Sequence, residues 1–61
     1  MKFKTLVLNE LEKGISLSNS IKKGMDNKQL TPQELYDLNG RMLICFKRAS
    51  QRVELEYDEN R

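Results

Sequence analysis

Apolar side chains recur along this 61-residue chain in threes and fours, and they do so in two separate blocks. In the later block Leu35, Leu38, Met42, Cys45, Ala49 and Val53 fall on one line of a helix. This is the spacing of a core-facing seam. In the earlier block Leu8, Leu11, Ile15, Ser18, Ile21 and Met25 follow the same rule, with Val7 and Leu17 off the line. The pattern predicts two helices, over about residues 5–27 and 32–57, joined by a turn at 27–31 and followed by a frayed tail at 58–61. All 61 residues then form a single all-α domain, an antiparallel helical hairpin.

The start of the second helix is the strongest local signal. In "LTPQEL", Thr31 is suited to accept from a backbone N–H of the first turn. Pro32 stands at the first helical position, where its missing donor costs nothing. Glu34 can reach back to close a capping box, and Leu30 and Leu35 occupy the positions of a hydrophobic staple. The end of the first helix is less marked. Lys22 and Lys23 suit the negative end of its dipole, and Gly24 or Asn27 is expected to supply a left-handed cap. Gly40 interrupts the second stripe at a cost of about 1 kcal/mol relative to alanine, which is understandable where another backbone comes close.

A competing pattern exists at the chain ends. "KFKTLVL" and "VELEY" alternate as half-buried strands do. Residues 2–8 and 53–57 would then pair in a β-α-α-β arrangement, with Lys2 and Lys4 facing Glu54 and Glu56. In the hairpin, folding back at residues 27–30 is expected to set Ile15 against Met42, Leu11 against Phe46, Leu8 against Ala49, Ser18 against Asn39 and Gly40, and Gly14 against Leu43.

The run "MLICF", residues 42–46, places apolar groups all round the second helix. Met42 and Cys45 belong to the seam and Phe46 to its edge. Leu43, Tyr36 and Tyr57 widen the apolar sector to about half the circumference, beyond the ~100° stripe of an ordinary surface helix. That extra side has no partner inside a hairpin. The expectation is a homodimer forming a four-helix bundle, with Tyr36, Leu43, Phe46 and Tyr57 as the dimer or partner interface. Ile44 fits neither side.

Composition narrows the chemistry. A chain this short rarely draws more than ~3–5 kcal/mol from its core without reinforcement. A disulfide within the chain is excluded, since Cys45 is the sole cysteine, and histidine is absent altogether. The commonest general base and the usual zinc ligands are therefore missing, and Gly14, Gly24 and Gly40 are too scattered for a phosphate loop. No catalytic, cofactor or metal site is expected, and Cys45 on the seam behaves as a small hydrophobe. Glu54, Glu56, Asp58 and Glu59 read as a solvated, fraying end. No run reaches the ~18 apolar residues of a membrane span. The lone thiol and the lack of a secretory leader pattern fit a reducing cytoplasm.

Eleven Lys and Arg against nine Asp and Glu give a net charge of +2, mild for a nucleic-acid binder. Arg41, Arg48 and Arg52 nevertheless fall within about 40° of one another on the helix. They would be the contact line if a nucleic acid were the partner. The first expectation is a non-enzymatic protein-interaction module, a small regulator, inhibitor or adaptor with a protein partner. The alternative is a dimeric regulator that binds RNA or DNA through those arginines. In length, single central turn and seam spacing the chain is similar to the small dimeric helical hairpins of the plasmid copy-control Rop type, which bind paired RNA loops. No sequence motif is shared and no functional residue carries over.

Overall fold

The computed structural model describes residues 1–60. Two helices, α1 (Lys4–Asp26) and α2 (Pro32–Glu59), pack antiparallel as a hairpin 47 × 16 × 11 Å in extent. There is no strand among the described residues: positions 4–8 and 53–57 are helical, so the β-α-α-β alternative is wrong. The alternation at each end reflects helix faces, since each end continues a helix that is already hydrogen-bonded.

The capping box forms as its residues dictate. Glu34 N–H donates to the Thr31 hydroxyl at 3.2 Å, and Thr31 N–H donates to Glu34 Oε1 at 3.1 Å. The bond from Thr31 N–H, then that with the Thr31 side chain, holds the Glu34 carboxyl below its ordinary value. The end of α1 differs from expectation. Asn27 is right-handed and Gly24 lies inside the helix, while Lys28 takes the left-handed conformation at φ 53°. Gln29 N–H donates to Gly24 O at 2.9 Å and Lys28 N–H to Met25 O at 3.3 Å. This is the bonding of a Schellman motif, with lysine where glycine is usual. Gly24 serves packing instead: a methyl group there would overlap the side chain of Leu30.

The face that α1 turns toward α2 is the main departure from the sequence pattern. Phe3, Val7, Glu10, Gly14, Leu17, Ile21 and Gly24 are its buried or half-buried positions. Leu8, Leu11, Ile15 and Met25, expected inside, are exposed, Ile15 by 55%. The reason is steric. A helix carrying Gly14 and Gly24 on its inner face lets α2 come close, and Phe46 lies directly on Gly14. Phe46 thus meets Gly14 where Leu11 was expected, and Gly14 no longer faces Leu43. On α2 the seam runs through Leu35, Leu38, Met42, Cys45 and Ala49 but continues through Arg52 and Glu56, leaving Val53 exposed. Gly40 has nothing within 4 Å of a built methyl, so no backbone approaches it within this chain.

Charged side chains close the open end of the hairpin. Glu56 is only 8% exposed. Its Oε1 accepts from Phe3 N–H, giving α1 an N-terminal cap that its own sequence does not provide. Asn60 Nδ2 donates to Glu56 O at 2.8 Å, and Lys2 lies 3.6 Å from Glu59. These contacts carry α2 past Tyr57, where fraying was expected, to Glu59. Arg61, the last residue of the expected tail, lies outside the described residues. One turn further in, Arg52 Nη1 stands 3.8 Å from Glu10 Oε1. Glu10 Oε2 and Arg52 Nη1 are both buried without a hydrogen-bond partner.

Candidate interaction surfaces

The hairpin buries little apolar surface. Val7, Cys45 and Ala49 are its buried apolar side chains among the described residues, while many larger ones lie open. Where these fall follows from helix geometry. Side chains advance about 100° per residue, and a furrow lined by Lys13, Arg41 and Arg48 fixes one flank of the hairpin. Leu8, Leu11 and Ile15 project from the other side of α1. Leu43, Val53 and Tyr57 project from the other side of α2, which in an antiparallel pair is the same flank. Both helices thus carry exposed apolar side chains on this flank, Ile15 standing toward the back of α1 beside Glu12, Ser16 and Asn19.

The four residues assigned from sequence to an interface are distributed over this surface. Leu43 is 55% exposed near its middle, and Tyr57 is 65% exposed toward the open end. Tyr36, exposed by 78%, stands near the turn and further round α2. Phe46 is half-buried at the edge, its ring committed to Gly14. Sequence periodicity missed the α1 half of the surface, because its leucines and Ile15 had been assigned to the seam.

The opposite flank separates the three arginines. Arg41 and Arg48 line the furrow, whereas Arg52 turns to Glu10 and is shielded, its side chain 29% exposed. Lys13 of α1 takes the place beside them. The floor of the furrow is made by Leu17, Ile44 and Cys45, which gives Ile44 a setting that the helical wheel did not. Lys13 belongs to the other helix, so no spacing rule within α2 points to it.

Among the described residues no group of three or more His, Cys, Asp or Glu is placed to hold a metal ion, and no helix is long and apolar enough to cross a membrane. The chain matches no protein-family model, no curated protein and no solved structure.

Proposed function

We propose that the hairpin is a non-enzymatic interaction module that works as a homodimer, with the flank of Leu8, Leu11, Ile15, Leu43 and Val53 buried against the same flank of a second copy. The result is a four-helix bundle with a two-fold axis, in which one self-complementary patch serves both subunits. A regulator, inhibitor or adaptor of this kind acts by presenting helical surfaces to a protein partner.

The observation that carries the reading is the mismatch between the two sides of the ledger of exposure. Three apolar residues are buried, and five branched aliphatic side chains on one flank remain at 36–55% exposure. A fully buried side chain of this kind contributes ~1.5–3 kcal/mol. Covering the half of each that is still exposed contributes about 4–7 kcal/mol, on the scale of the ~3–5 kcal/mol typical of cores in chains this short.

Sedimentation equilibrium tests the proposal. The wild-type chain should sediment as a dimer at micromolar concentration, and Leu43→Glu should shift it to the monomer by burying an unpaired carboxylate in the contact. A wild-type mass of 7.2 kDa throughout that range would refute dimerisation. Unchanged dimerisation in Leu43→Glu would refute the assignment of this flank.

A further inference from the structure

The furrow on the opposite flank has two kinds of lining that call for one kind of ligand. Its volume is about 450 Å³. Lys13 from α1 and Arg41 and Arg48 from α2 stand along it, and no carboxylate lines it, although Arg41 also borders a neighbouring cleft lined by Glu34 and Asp37. The ion pairs among the described residues are Lys2–Glu59 and Arg52–Glu10, so none of the three cations is held in one. Between the cations the lining is mostly apolar, made of Leu17, Cys45 and Ile44, the last 50% exposed, with Ser16 as its one uncharged polar residue. Ile44 lies three residues after Arg41 and four before Arg48, so cation, aliphatic group and cation succeed one another along one edge of α2.

Phosphates of a duplex would satisfy the cations and leave Leu17, Ile44 and Cys45 facing charge. No aromatic ring lines the furrow to stack on a base. An uncharged apolar helix would cover the floor and strand the cations. A helix with an apolar stripe flanked by carboxylates satisfies both: the stripe lies along the floor, and the carboxylates meet Lys13 on one side and Arg41 and Arg48 on the other. Docking of a helix in a groove between two others uses the same ridge and groove packing as the hairpin itself.

We propose that this furrow binds an acidic amphipathic helix of a partner protein. The furrow is formed within one chain and lies on the flank opposite the proposed dimer contact. A dimer would carry two such sites, and loss of dimerisation leaves each one intact, so the two readings fail separately.

The probe is a dye-labelled synthetic peptide with leucine at heptad a and d positions and glutamate at the flanking e and g positions. A second peptide with lysine at e and g, and a short RNA duplex, serve as competing probes in fluorescence anisotropy. The acidic peptide should bind, with affinity falling as salt is raised, and the basic peptide should not. Reversing two rim charges together, Lys13→Glu with Arg48→Glu, should weaken the acidic peptide by about tenfold or more and admit the basic one. Circular dichroism and sedimentation identical to wild type verify that this variant is folded. Equal binding of both peptides or no binding of the acidic one would overturn the proposal. Duplex RNA bound in place of the acidic peptide, and lost on charge reversal, would also overturn it and assign the flank to phosphate.

Discussion

Replacing Gly14 by alanine probes the close approach on which the hairpin is built. In isolation the change favours the helix by about 1 kcal/mol, because alanine loses less backbone entropy on folding. Gly40→Ala has the same intrinsic benefit and serves as the internal reference, since nothing lies within 4 Å of a methyl built there. At Gly14 the added methyl would stand 2.5 Å from Phe46 Cε1, 2.7 Å from Cζ and 2.9 Å from Cδ1. Three ring atoms inside contact distance require the ring or the helix to move. Overpacking of this kind typically costs ~1–3 kcal/mol. Gly40→Ala is therefore expected to stabilise by about 1 kcal/mol. Gly14→Ala should come out level with wild type or below it by up to ~2 kcal/mol, once the propensity gain is subtracted. For a domain of this size 1 kcal/mol corresponds to ~4–8 °C in Tm. Urea unfolding followed by circular dichroism reads both variants, at one protein concentration so that all are compared under the same mass-action term for self-association. Phe46→Leu in the Gly14→Ala background should recover part of the loss, since the two sites share one contact. Gly14→Ala stabilising as much as Gly40→Ala would refute the packing of Phe46 on Gly14.

Four further outcomes follow from local geometry. Lys28→Gly should stabilise by about 1 kcal/mol in urea, because left-handed backbone costs a residue with a Cβ ~1–2 kcal/mol and glycine's greater unfolded entropy offsets part of that gain; a loss would contradict the positive φ at this position. Thr31→Ala should cost about 1 kcal/mol by removing the cap of α2. The Glu34 half of the same box depends on pH. Its carboxyl is lowered on folding from the ordinary 4.5, so its contribution is complete above that value and is lost as pH falls through the folded-state value. The stability difference between wild type and Glu34→Gln should accordingly shrink on acidification, and a pH-independent difference would refute the box. Arg52→Met should destabilise by ~1–3 kcal/mol by leaving the Glu10 carboxylate buried without its cation, and adding Glu10→Leu should restore much of the loss; a single variant as mild as the double one would show that the pair is not coupled.

How much of this could be read from the sequence depends on the range of the forces involved. The start of α2 was fully legible, because Thr31, Pro32 and Glu34 act on one another within a single turn. The existence of two helices and the turn between them was legible for the same reason: three- and four-residue spacing is a local property of a helix. The path of α2 through Leu35, Leu38, Met42, Cys45 and Ala49 was also visible, since its apolar line coincides with its seam. On α1 the most apolar line and the seam are different lines. Hydrophobicity alone selects Leu8, Leu11 and Ile15, whereas the neighbour that arrives first is received where Gly14 and Gly24 leave room for Phe46 and Leu30.

The charged ends show the same division. Glu56 had the look of a solvated acidic tail, yet it lies on the continuing α2 seam and caps α1 from across the hairpin. Its role depends on a backbone donor 53 positions away, at Phe3. Arg52 was indistinguishable from Arg41 and Arg48 by spacing until Glu10 drew it into the seam, and Lys13 joined those two only because α1 runs back beside them. The sequence by itself determined the two helices, the cap that starts α2 and the presence of more apolar surface than two helices need. Only the tertiary structure decided which of that surface is left outside, because helix formation answers to neighbours a few residues apart, whereas the choice of buried face answers to the shape of whatever packs against it.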